Sequence, residues 1–134
     1  MANWFAELES KIFTIVQYHL KTQKDAPYPK LKCTTANTSE MPSEFPTLYL
    51  HELSPLENNQ DMENDEVISI LHSVEIKVFS NKSENEVRNI MASAITEMKK
   101  LRYSVTLFPD PTTTNKVSSA VARFRRTIAK DDVL

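Results

Sequence analysis

The sequence predicts an α+β sandwich: a four-stranded, mainly antiparallel sheet with two helices packed on one face, in the order α-β-β-α-β-β. Three observations carry this prediction. Apolar residues recur at three- and four-residue spacing through residues 3–22 and again through residues 83–102. Two-residue alternation runs through residues 67–79 and 116–129. The chain has 134 residues, 40% hydrophobic and 25% charged, which suits one soluble domain that buries its core without metal or disulfide. Residues 1–134 therefore read as a single α+β domain: an N-terminal helix over 1–22, a Pro-rich connector over 23–44, a sheet-and-helix core over 45–130 and a tail over 131–134.

In the first helix Phe5, Leu8, Ile12, Ile15, Val16, His19 and Leu20 form the stripe, and Asn3 is placed to cap it. The connector KDAPYPKLKCTTANTSEMPSE is rich in Pro, Thr and Ser and reads as irregular, with a short extended piece at Leu31 and Cys33. FPTLYLHEL, residues 45–53, reads as a strand that Pro46 places at its start or at a sheet edge. An acidic loop follows. In the strand over 67–79, Ile68, Ile70, His72, Val74, Ile76 and Val78 share a face, with Ser69, Ser73, Glu75 and Lys77 on the other. Ser83 and Glu86 form an S-x-x-E capping box, which needs no positive φ and so no glycine at the strand-to-helix corner. Val87, Ile90, Met91, Ala94, Ile95, Met98 and Leu101 make the second helix's stripe. YSVTLF is a short strand ending at a Pro-Asp-Pro turn, and residues 116–129 are the last strand. The sheet face carrying Tyr49, Ser73, Glu75, Lys77, Arg123, Arg125 and Thr127 is expected to be wet or in contact with another protein.

The chain has no glycine at all, which excludes P-loops, dinucleotide-binding turns and the G-x-S-x-G elbow. Two-residue hairpin turns of the Asn-Gly or Gly-X kind cannot exist, so turns rest on Pro, Asn, Asp and Ser. The single cysteine, Cys33, allows no internal disulfide and points to a reducing compartment; the N-terminal stretch lacks an apolar signal-peptide core. The only conceivable metal set is His51, Glu52 and His72 across neighbouring strands, and strand histidines are more often packing residues. No catalytic, cofactor-binding or metal residue is assigned, and no enzyme activity is expected.

Charge asymmetry remains. From Glu52 to Glu66 the chain holds six carboxylates (Glu52, Glu57, Asp61, Glu63, Asp65, Glu66) and no Lys or Arg. From Lys99 to Lys130 it holds eight basic residues against Asp110 alone. The acidic loop is a candidate lumen or subunit-contact element. Lys116, Arg123, Arg125, Arg126 and Lys130 form a candidate subunit-contact basic patch. Opposite patches on one molecule allow head-to-tail self-association, which closes into rings.

The run from FPTLYLHEL through VEIKVFSNKSENEVRNIM to ARFRRTI resembles the small tail terminator, or tail completion, proteins of long-tailed bacteriophages. The pattern is an F-P strand with a short acidic run, a strand ending in VFSNK, an RNIM-bearing helix, an aromatic, a Pro-containing loop and a final ARFRRTI strand. It covers roughly residues 45–132. It departs at the helix-to-strand junction, where the family commonly has Gly-Phe and this chain has Arg102-Tyr103. The resemblance implies a non-enzymatic virion protein without cofactor. It implies a homohexameric ring at the head-proximal end of the tail tube, stopping tube growth and joining the tube to head-completion proteins. DNA would pass through its lumen without sequence-specific binding, assembly would occur in the host cytoplasm, and no membrane would be involved. Two alternatives are a neck or head-closure connector at the same junction and, in a different class, a small nucleic-acid-binding α+β module. The second is weakened by the missing aromatic motif of RNA-binding sheets.

Overall fold

Ser83 opens the longest helix as the capping box predicts, with its Oγ accepting the Glu86 N–H at 3.1 Å. The reciprocal half of the box differs. The Glu86 carboxylate accepts instead from the Ser80 hydroxyl at 2.6 Å, while Ser80 Oγ takes the Lys82 N–H. The corner is thus pinned from the strand side as well as the helix side. These features belong to a computed structural model that describes residues 7–35, 45–53, 56–57, 62–63, 66–67 and 69–129.

The helices are α1 (Leu8–Gln17), continued by a π turn over Tyr18–Thr22, and α2 (Glu84–Lys100). The strands are β1 (Lys32–Thr34), β2 (Thr47–Glu52), β3 (Leu56–Glu57), β4 (Met62–Glu63), β5 (Glu66–Val67), β6 (Ser69–Ser80), β7 (Ser104–Leu107), β8 (Thr112–Thr114) and β9 (Val117–Ala129). The cap expected at Asn3 lies outside the described residues.

The α+β class, the mainly antiparallel sheet and the two helices are as expected. The four-strand count and the simple strand order are not. Among the described residues the main sheet has seven strands, ordered β1-β2-β6-β9-β7, with β3 also on β6 and β8 also on β9; β4 and β5 form a separate two-stranded sheet. The cause is a mismatch of lengths. β6 and β9 run for 12 and 13 residues, whereas β2 and β7 have 6 and 4. Their unmatched edges leave backbone N–H and C=O groups to satisfy, and segments of two or three residues, too short to show alternation, satisfy them. β1 pairs parallel to β2, with Cys33 opposite Leu48.

The register Val74↔Phe124, Ile76↔Ala122 and Val78↔Ala120 puts the apolar sides of β6 and β9 on one face, joined there by Leu48 and Leu50 of β2. These residues share one core with Leu8, Ile12, Val16 and Leu20 of the N-terminal helical segment and Val87, Ile90, Met91, Ala94 and Met98 of α2. The helical stripes are what seal this face from water. Thr47, Tyr49, His51, Glu75, Lys77, Arg123 and Arg125 have the opposite parity and make the outer face.

Turns that need left-handed backbone are built without glycine. Asn115 and Lys116, at φ 52° and 66°, join Thr114 to Val117 as a two-residue hairpin. Arg102, at φ 67°, ends α2 in a Schellman arrangement: its own N–H reaches Lys99 O, and the Tyr103 N–H reaches Met98 O. The departure from Gly-Phe at this junction therefore leaves the turn a left-handed one, with Arg102 carrying the steric cost that glycine avoids.

Candidate functional site

Two polar clusters lie on opposite sides of the sheet. On the outer face, Glu75 of β6 is only 5% exposed and has two cations and an imidazole beside it. Arg123 Nε of β9, its register partner, donates to it at 2.8 Å; Lys77 Nζ stands at 3.7 Å and His51 Nε2 at 3.8 Å. The His51 ring stacks on Tyr49, centroids 4.7 Å apart. The Tyr49 hydroxyl and His51 Nδ1 are both buried, and neither has a hydrogen-bond partner among the described residues. Burial, followed by the charges of Glu75 and Glu9, pushes the Tyr49 hydroxyl above its ordinary pKa, so it stays protonated as a potential donor. The face expected to be wet thus holds three buried residues, Thr47, Tyr49 and Glu75, beside exposed Arg123, Arg125 and Thr127.

On the helix side, His72 is fully buried at the start of the core. Its Nε2 lies 2.7 Å from Glu52 Oε2, and its Nδ1 lies 2.7 Å from the Tyr103 hydroxyl. A carboxylate only accepts, so Nε2–H donates to Glu52; with the ring neutral, Nδ1 accepts from Tyr103. The Glu52 N–H in turn donates to Glu9 Oε2 at 2.8 Å, and Arg126, opposite His72 in register, donates to Leu101 O at 3.0 Å. Burial raises the Tyr103 hydroxyl well above its usual range; Glu52 adds to this and Arg126 opposes it. The cluster ties α1, β2, β6, β9 and the end of α2 together. Both ring nitrogens of His72 have partners at 2.7 Å, so the ring sits in a satisfied buried network.

The sequence-predicted residues separate accordingly. Arg123 and Arg125 share the outer face, while Lys116 sits at the β8–β9 turn, seven residues from Arg123, or about 23 Å along an extended strand. Arg126 points to the opposite side and is buried, so it does not join the other basic residues. Its parity, even like that of Phe124 and Ile128, carries that information in the sequence. Lys130 lies outside the described residues. Of the acidic set, Glu52 belongs to the His72 network. The backbones of Glu57, Glu63 and Glu66 lie in β3, β4 and β5, and Asp61 and Asp65 are outside the described residues. His51 faces outward while Glu52 and His72 face the core, so they do not form one ligand set; among the described residues no group of three or more His, Cys, Asp and Glu is placed to hold a metal.

Sequence reasoning missed the role of Tyr103. It stands just beyond the Schellman turn, and only the three-dimensional path of that turn brings its hydroxyl to His72. No helix among the described residues is long and apolar enough to cross a membrane. No protein-family model and no curated protein matches the chain.

Proposed function

We propose that this chain is a structural virion protein, a tail terminator whose ring caps the head-proximal end of a phage tail tube, stops its polymerisation and joins it to head-completion proteins. One observation carries the reading. The ordered segments that resemble that family fall on β2, β6, α2 and β9, which are the three central strands and the helix packed on them. The likeness therefore runs through the frame of the domain rather than through a peripheral loop. Two physical features support a subunit that works by contact. Among the described residues no helix packs on one sheet face, and that face carries charged residues and buried polar atoms without a hydrogen-bond partner. The tip of β7 exposes Leu107 and Phe108, apolar surface of the kind that protein partners cover.

In this reading the partners are further copies of the chain in a homohexamer, the tube protein and a head-completion protein, with DNA passing through the lumen. The test is the state of the purified chain and its effect on tubes. A ring, or a monomer that assembles on tube ends and fixes tube length, supports the proposal. Binding to head-completion proteins without any effect on tubes points to a neck connector instead. A monomer whose affinity for RNA falls steeply with salt would replace the reading by a nucleic-acid-binding one.

A further inference from the structure

We propose that the tip over residues 107–111 of one copy seats on the outer sheet face of a second, with Phe108 against its half-buried Leu71 and the Asp110 carboxylate on its Arg125. This deepens the ring-subunit reading and rests on it for the closure of successive contacts into a ring.

The tip, Leu107-Phe108-Pro109-Asp110-Pro111, is a prearranged probe. Phe108 is 69% exposed, the most of any large hydrophobic among the described residues, and Leu107 beside it is 43% exposed. Pro109 and Pro111 fix their own φ and bias Phe108 and Asp110, the residues before them, to extended backbone. Little backbone freedom is left to lose on binding. Asp110 is exposed and makes no ion pair among the described residues, so the tip does not spend its carboxylate on a cation of its own subunit.

The landing site is the open half of the outer face. Towards β2 that face is closed, with Thr47, Tyr49 and Glu75 buried; towards β7 it is open, with Ser104, Arg123, Arg125 and Thr127 exposed. Arg123 is already engaged by Glu75 at 2.8 Å, whereas Arg125 makes no ion pair among the described residues. Leu71 stands opposite Thr127, two residues on from Arg125, and is therefore its diagonal neighbour on the same face. Diagonal neighbours are about 7–8 Å apart, and residues two apart in extended backbone are separated by about 7 Å. An aromatic and a carboxylate on the tip thus match an apolar residue and an unpaired guanidinium on the face, in spacing and in chemistry. An aromatic anchor beside an arginine is also the composition of a protein interface. Tip and face are different surfaces, so the contact is heterologous and generates a ring when the rotation closes.

Charge reversal and its repair test this on the full chain. The variants are Asp110→Lys, Arg125→Glu, the two combined in one chain, and Phe108→Ser; all three positions are exposed, and circular dichroism checks that each variant folds. Gel filtration with light scattering reads the mass over a concentration series at low and high salt. The wild type is expected to assemble at low salt and to fall back to the 15.4 kDa monomer on dilution into high salt. Asp110→Lys and Arg125→Glu alone are expected to stay at monomer mass, because like charges then meet across the contact. The combined variant should recover the wild-type mass, since the reversed tip then finds a reversed face. Phe108→Ser should raise the dissociation constant about thirtyfold, the effect of losing an aromatic anchor. A wild type that is monomeric throughout overturns the proposal, as do single reversals that keep the wild-type mass or a combined variant that fails to recover it. The contact and the function fail separately. A monomer that still fixes tube length sinks the contact and leaves the terminator reading. An assembly that obeys the charge pattern but does not cap tubes upholds the contact and sinks that reading, and one that stops at a dimer upholds the contact and sinks the ring.

Discussion

Replacing Tyr103 by Phe removes one oxygen and nothing else from the buried network. The ring volume is kept, so no cavity opens. The Tyr103 hydroxyl lies 2.7 Å from His72 Nδ1, and His72 has no exposure at all. Water therefore has no route to replace the lost partner. A buried polar group left unpaired costs about 1–3 kcal/mol, and we expect Tyr103→Phe to fall near the middle of that range. Denaturant unfolding of the monomer at high salt should show a lower midpoint with an unchanged slope. Tyr49→Phe is the matched control. Its hydroxyl is buried without a partner among the described residues, so deleting it should leave stability unchanged or raise it. The same chemical change thus has different consequences on the two faces of one sheet. A Tyr103→Phe variant within about 0.5 kcal/mol of wild type, the range of an inconsequential surface change, would refute the network. So would equal effects of the two substitutions. The pH dependence follows from the same site. Burial holds the Tyr103 proton more tightly in the folded chain than in the unfolded one. The resulting stabilisation is fully present below the ordinary tyrosine pKa of about 10 and is lost as pH rises beyond it; Tyr103→Phe should flatten that alkaline loss.

Three other expectations concern single positions. Ser83→Ala removes the acceptor of the Glu86 N–H and should cost about 1 kcal/mol by denaturant unfolding, whereas Ser83→Asp should retain most of it. Lys116→Gly turns the two-residue hairpin into Asn-Gly and relieves a left-handed lysine, so the melting temperature should rise, by the equivalent of about 1 kcal/mol. Burial pushes the Cys33 thiol up to about 11, with Lys21 opposing, so iodoacetamide at mildly alkaline pH should label the native chain roughly a hundredfold more slowly than the unfolded one.

What could be read in advance was whatever repeats along the chain. The α2 stripe, its serine cap and the long alternations of β6 and β9 are periodic over many residues, and the structure shows all of them. β8 is three threonines and β3 two residues; neither is long enough to carry a period, and both exist because longer strands leave edges to pair. Parity showed that Tyr49, Glu75 and Arg123 share a face, but not that Glu75 and Tyr49 are buried there. That depends on packing between strands far apart in sequence, such as His51 of β2 against Glu75 of β6. Arg126 shows the opposite failure: its even position gave its side, while its basic neighbours suggested a surface patch. The two-residue hairpin at Asn115 and Lys116 was obscured by reasoning from glycine alone, although asparagine also tolerates left-handed backbone.

The proposed role is that of the subunit that ends a tail. The most direct measurement is electron microscopy of tails assembled in cells that carry the other virion genes, with and without this one. A terminator leaves over-long tubes unattached to heads when the chain is missing, and uniform, head-joined tails when it is restored. Tails of normal, uniform length joined to heads in its absence would contradict it.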